Sequence, residues 1–256
     1  MSKEITNLII LPQKTDLGDA NGFNTGIFYA LNNQKPDFIG LIRAELRPTD
    51  GWLEILLKEF QSDRRIVMVG SEIKSFDRSW DDIANFWPFS KLNLDKLTRG
   101  EVIAVSDQAC LIRSQVLREL GYFDGDFYQT LEDWDFGLRA TLLGYKIIFQ
   151  PKAKAEREQS EPQPSSIYWY LLIRNFNYLW IKNIPTPLAI RYWYEWFNLT
   201  FRLSLRAWGE GAWLSPFRAQ LKTLVKLPRL IVWRSSIQRR RQLKLTELVK
   251  SNGREQ

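Results

Sequence analysis

Between Gly121 and Pro151 the chain reads GYFDGDFYQTLEDWDFGLRATLLGYKIIFQP. Glu132, Asp133 and Asp135 fall within four positions, Arg139 follows one helical turn after Asp135, and Asp124 and Asp126 lie just upstream. Acids crowded among aromatics can be a solvated turn. They can also be a site that abstracts a proton or holds a cation. Adjacent carboxylates repel, which raises the pKa of one and makes it a better base. Asp135 and Arg139 are spaced i, i+4, so on a helix they form a pair that can orient such a site. The chain of 256 residues contains no histidine and one cysteine, Cys110. Ser-His-Asp and Cys-His catalysis and the usual zinc sites are therefore excluded, and so is an internal disulfide. Acid–base chemistry near neutral pH falls to carboxylates, Lys, Tyr or the thiol.

The elements that must position these acids read as an α/β alternation. Residues 5–11 predict a buried strand ended by Pro12, and 25–33 a short helix. Residues 37–42 predict a second buried strand, and 52–60 a helix capped by Thr49 or Asp50. Strands follow at 65–73 and, longer, at 101–113. Next come a helix at 114–120 with Gly121 as its C-cap, a helix from the acidic cluster to Gly144, and a strand at 145–149 stopped by Pro151. The alternation predicts a mostly parallel sheet flanked by helices. The polar, Pro-rich stretch 156–166 reads as a linker between a first domain, 1–166, and a helical region, 167–256.

Charge divides along the same line. Residues 1–166 carry a net −5 and residues 167–256 a net +12. The second part is rich in Trp, Tyr and Phe, and on a helical wheel Arg191, Glu195, Asn198, Arg202 and Arg206 form one narrow polar stripe. Two readings stand: a helical bundle packed on the first domain, or docking at an anionic membrane surface. The charge also suits nucleic acid, but there is no recognisable nucleic-acid module, so none is expected as a partner. No stretch reaches the length of a membrane span and no secretory signal is visible, so the expectation is a cytoplasmic chain, peripheral at the inner face of the plasma membrane.

Four stretches, in order, resemble the family 2 glycosyltransferases: LGDANGFNTGIFYAL, DFIGLIRAELRPTDGWLEILL, the segment from Val102 through LEDWDFGLRATLLGYKIIFQPKA, and YLLIRNFNYLWIKNIP. The resemblance implies a GT-A type fold and transfer of a sugar, with inversion, from a nucleotide-sugar donor to a glycan or lipid-linked acceptor in cell-surface polysaccharide synthesis. It implies that Asp133 is the catalytic base, with Glu132 beside it. Gly22, Asn24, Asp124, Trp134, Asp135, Arg139 and Arg157 are the implied substrate-binding residues. Arg157 stands where the family often has His, and a guanidinium binds diphosphate well. The family's metal motif falls on Glu45, which implies Mg²⁺ or Mn²⁺ there, with Arg43 two positions earlier in place of Asn. Asp107 replaces a family Gly and would crowd or repel an anion. The segment that precedes these motifs in the family, and holds the nucleotide base, has no counterpart in the chain. A late start, a split enzyme completed by another polypeptide, and an inactive remnant that binds or scaffolds at a membrane each account for that. An open sheet edge would then pair with a partner polypeptide or a second copy, and the 256-residue chain would not turn over a nucleotide sugar by itself.

Overall fold

The computed structural model describes residues 8–74, 100–157 and 164–242. The elements are α1 (Gly18–Asn33), β1 (Phe38–Ile42), β2 (Leu46–Pro48), α2 (Trp52–Glu59), β3 (Ile66–Lys74), β4 (Gly100–Val102) and β5 (Ala109–Arg113). They continue with α3 (Ser114–Leu120), α4 (Glu132–Leu142), β6 (Lys146–Arg157), α5 (Ser166–Asn183), α6 (Thr186–Arg191), α7 (Trp193–Gly209) and α8 (Ser215–Arg240). The α/β class stands. The mostly parallel sheet does not: the order is β1-β5-β3-β6-β2 with β4 also on β6, and among the described strands only the β3–β6 pairing is parallel. The strand β5 runs against both β1 and β3, which makes the sheet mixed. Alternating strands and helices carry no record of strand direction, and a short return strand can enter antiparallel.

Other expectations shift for local reasons. Residues 1–7 lie outside the described residues, and Leu8, Ile9 and Ile10 join no strand and are exposed. Gly51, at φ 75°, caps α2 in place of Thr49 or Asp50. The long strand expected at 101–113 divides into β4 and β5, and residues 103–108 between them are irregular. Pro151 does not stop the last strand. The β3–β6 register jumps from Ser71↔Gln150 to Glu72↔Lys154, so Pro151, which has no N–H to give the ladder, sits in a bulge and β6 runs on to Arg157. The helix at 114–120, with Gly121 at φ 83° as its cap, is as expected. Of the expected linker, 158–163 lie outside the described residues.

Alternation along β5 builds two layers: Cys110 and Ile112 pack towards α1, α3 and α4, whereas Ala109 and Leu111 pack towards α2. A third apolar cluster joins Leu131, Trp134, Leu138 and Leu142 to Trp169, Ile173, Phe176 and Leu199, so the helices after residue 166 share a core with α4. Full burial of each such large side chain stabilises by about 1.5–3 kcal/mol. Among the described residues no helix is long and apolar enough to cross a membrane.

Candidate active site

Helix α4 begins at Glu132, out of a backbone that L-residues rarely adopt. Tyr128, Thr130 and Leu131 all have φ between 65° and 67°. Such strain costs on the order of 1–3 kcal/mol per residue and persists only where the surroundings enforce it. The enforcement comes from α5. The Asn175 amide nitrogen donates to the carbonyls of Phe127, Gln129 and Thr130 at 2.9, 2.7 and 2.8 Å. Arg174 donates to Asn175 Oδ1 and to the carbonyls of Asp126 and Phe127. The Arg-Asn pair of the aromatic segment is therefore what aims the N-terminus of α4.

A second close approach brings Asp107 to the same place. A Cβ on Gly137 of α4 would lie 2.2 Å from the Ile103 carbonyl oxygen, and one on Gly70 of β3 would lie 2.3 Å from Val105 Cβ. The irregular 103–108 segment is thus gripped between two glycines, because only a residue without a Cβ lets backbone and side chain come so near. Asp107, Glu132 and Asp133 are all at least 95% buried. Among the described residues no N–H or hydroxyl donates to Asp107 Oδ2 or Glu132 Oε2.

Burial and mutual repulsion set the protonation of this group. Burial first, then the charge of Asp19, push Asp107 up to about 7. Burial, then Asp107 and Asp133, hold Glu132 well above the usual range, and burial, then Asp107, does the same to Asp133. The N-terminus of α4 works against this: Asp133 Oδ1 accepts the Trp134 N–H at 2.8 Å. Carboxyls that share a buried site titrate as a set. A carboxylate whose pKa is raised in this way is, once ionised, a stronger base than a free one.

The raised Asp107 has a consequence for stability. The native state binds its proton more tightly than the unfolded chain, so its contribution is fully present below about pH 4 and is lost as pH rises through about 7. Asp107→Asn should flatten that loss and raise the Tm measured at about pH 8 by about 5 °C or more, with little change at about pH 5. Parallel Tm–pH curves for the two proteins would remove Asp107 from the coupled set.

The other expected site residues divide. Asp135 is fully buried. Burial raises it, but Lys182 and Arg139 hold it down to about 2. It pairs with Arg139 at 2.8 Å and with Lys182 at 2.7 Å, and accepts from Asn183 at 2.8 Å. Arg139 also donates to the carbonyls of Leu120 and Tyr122. Asp124 pairs with Lys182 at 2.6 Å. All three are engaged by protein partners, and Lys182 ties Asp124 to Asp135. Trp134, expected to contact substrate, is fully buried in the apolar cluster instead. Asn24 is engaged at both ends by Phe123, donating to its carbonyl at 2.8 Å and accepting its N–H at 3.0 Å. Gly22 is exposed on α1, with nothing within 4 Å of where its Cβ would be.

Glu45 is not set as a metal ligand. Arg157, carried there by the bulged β6, donates to Glu45 Oε1 at 3.3 Å and to Gln108 Oε1 at 2.6 Å. Arg43 lies 3.6 Å from the same Glu45 oxygen and pairs with Asp19 at 2.5 Å. Two guanidiniums thus face the carboxylate that would meet a cation, and no group of three or more Asp, Glu, Cys or His among the described residues could hold a metal ion. The residues present do not fit a divalent ion at Glu45. Sequence reasoning missed Asp19, Gln108 and Lys182 as members of this neighbourhood. The visible signal was Lys182, a cation near the end of a helix rich in aromatic and aliphatic residues.

Comparison with known proteins adds the family. The profile described as Glycosyltransferase like family 2 matches residues 6–176. Two curated relatives, the pre-mycofactocin glycosyltransferases of two Mycobacterium tuberculosis strains, are each 28% identical over 142 residues, which is 53% of this chain and 29% of theirs. The chain therefore spans under a third of the length of these relatives. Among solved structures, GalNAc-T7 with UDP, GalNAc and Mn²⁺ is similar at a TM-score of 0.47 and 14% identity, over 65% of this chain and 35% of that one. The mannosyltransferase PcManGT of Pyrobaculum calidifontis, in complex with GDP-Man and Mn²⁺, is similar at 0.45 and 12%, over 87% and 64%. With the profile covering well over half of its residues, including the acidic helix and the Arg-Asn pair, the chain belongs to the glycosyltransferase-like family 2.

Proposed function

We propose that the chain carries the catalytic machinery of a glycosyltransferase that moves a sugar, with inversion, from a nucleotide-sugar donor to a hydroxyl of a glycan or lipid-linked acceptor, in cell-surface polysaccharide synthesis. The observation that supports it is the buried, coupled set of Asp107, Glu132 and Asp133 at the strained start of α4, in a chain of this family. In the reaction Asp133 takes the proton of the acceptor hydroxyl. The acceptor oxygen bonds to the anomeric carbon from the side opposite the departing phosphate oxygen. The carbon–oxygen bond to the nucleotide breaks, and the nucleoside diphosphate leaves with the electron pair. In-line displacement of that kind inverts the anomeric centre. The test is the purified protein with UDP-, GDP- and dTDP-sugars and a panel of hydroxyl acceptors, with released nucleoside diphosphate as the readout. Acceptor-dependent release supports the reading and sets aside the expectation of a chain inactive by itself, whereas none with any donor counts against the reading.

A second reading, a family member without turnover that binds or scaffolds at a membrane, is favoured by one observation: Arg43 and Arg157 occupy Glu45, and Asp107 adds a further acid to the site. The two readings divide on that same release assay.

The arginines also bear on metal dependence. With both guanidiniums at Glu45, binding of a nucleoside diphosphate should change by less than about threefold on adding Mn²⁺, and should weaken about tenfold or more in Arg157→Ala, since a charge-assisted pair contributes about 1.5–3 kcal/mol. Calorimetry decides it. Tight binding that requires Mn²⁺ and ignores Arg157→Ala would show that Glu45 recruits the metal after all.

A further inference from the structure

The helices α7 and α8 each present three faces where a bundle helix needs two. On α7, Leu199, Leu203 and Ala207 are buried against the rest of the protein. Tyr194, Phe197, Phe201, Leu205 and Trp208 recur at three- and four-residue spacing, and all are exposed. Arg202 and Arg206 form a separate exposed stripe beside them. Helix α8 repeats the plan. Ala219, Thr223, Leu230 and Ile237 are buried. Phe217, Leu221, Leu224, Val225, Ile231 and Val232 are exposed, and Arg218 and Lys222 lie beside them. The turn between the helices adds Trp213 and Leu214, 68% and 61% exposed. A bundle packed on the first domain accounts for the buried faces. Among the described residues it leaves the exposed apolar stripes without a partner, and contiguous exposed apolar stripes of this kind mark an interaction site.

We propose that α7, α8 and the turn between them dock the protein on an anionic lipid bilayer, with the aromatic stripes in the headgroup and acyl boundary and the arginines and lysines on the acidic headgroups. Three observations choose this occupant. Each apolar stripe is bordered by a basic one, the arrangement of a helix that lies in the interface plane. Trp and Tyr, whose rings suit that depth, are concentrated here. Residues 167–242 contain only two acids, Glu195 and Glu210, and Glu210 accepts from Trp169 Nε1. A second copy of the chain, meeting this one face to face, would set basic stripe against basic stripe with almost no acid to neutralise them. A bilayer supplies both the apolar depth and the opposite charge. No described helix is long and apolar enough to span, and the proposed docking runs along the surface.

The docking is independent of glycosyl transfer and would hold in a chain without turnover. The test is co-sedimentation of the whole protein with vesicles of phosphatidylcholine alone or with about a third phosphatidylglycerol, with sedimentation velocity of the protein alone. The bound fraction should rise about tenfold or more with the acidic lipid and fall severalfold in high salt. The triple variant Phe201→Ser, Trp213→Ser, Phe217→Ser should lose binding to the acidic vesicles while keeping the circular dichroism spectrum and Tm of the parent, because these side chains lie outside the core. Arg202→Glu with Lys222→Glu should lose the preference for acidic lipid. Equal binding to both vesicle types, binding to neither, a triple variant that binds as the parent does, or a stable dimer in solution that the triple variant abolishes would each overturn the proposal.

Discussion

Asp133→Asn is expected to lower sugar transfer by about 10²-fold or more, with donor binding nearly unchanged. In the proposed reaction the loss is that of the group that accepts the acceptor's proton, and the chain has no histidine to stand in for it. The same substitution should stabilise the fold at about pH 8. Asp133 is buried beside Asp107 and Glu132, and burial and the Asp107 charge hold its carboxyl well above the usual range, so ionising it costs the native state. Opposite changes in activity and stability are the mark of a group kept for function against its own energetics. A purely structural role would behave otherwise: the amide oxygen that the substitution leaves still accepts the Trp134 N–H, so activity would survive. Full activity in Asp133→Asn would assign Asp133 that role.

The largest stability effect is expected from Lys182→Met. The Lys182 ammonium is 1% exposed, 2.6 Å from Asp124 and 2.7 Å from Asp135, and lies over the rings of Phe127 and Trp233. Methionine fills much of the same space but leaves Asp135, itself fully buried, with one fewer cation. Removing one partner of a buried pair costs about 3–5 kcal/mol, whereas the intact pair contributes far less against an apolar replacement. Asp135 is held down to about 2, so its contribution to stability is present above about pH 4 and is lost as pH falls through about 2. In Lys182→Met that depression weakens, and the gap in stability between variant and parent should be widest near neutral pH and narrow as the solution is made acid. Urea unfolding across that range measures it. A gap below about 1 kcal/mol at neutral pH would mean that Arg139 and Asn183 satisfy Asp135 without the lysine.

These two residues illustrate what could be read in advance. Asp133 was legible because its neighbours in the chain are its neighbours in space: an acid pair at the start of an apolar-periodic run is a helix N-terminus wherever the run folds. The Asp135–Arg139 pair follows from helical pitch alone, and the helix at 114–120 with its Gly121 cap from a glycine able to take φ 83°. Lys182 is 47 residues from Asp135 and 58 from Asp124, and no local period announces contacts at that range.

The amino-acid sequence by itself determined the α/β alternation, the acidic helix start, the chemistry that an absence of histidine leaves open, the membership of a glycosyltransferase family and the uneven charge of the two parts. These depend on residue type and on spacing within a turn or two, where covalent geometry does the placing. Tertiary structure alone decided the antiparallel course of β5 and the bulge that carries β6 past Pro151 to Arg157. It also decided the capture of Glu45 by Arg43 and Arg157, and the clamp that Arg174 and Asn175 place on the strained approach to α4. Asp107 shows the reason most plainly. As a letter in the chain it was an intruder in an anion site. Gripped between Gly70 and Gly137 it became part of the acid set, because burial and proximity, which set a carboxyl's charge, are properties of the packed chain and not of its order.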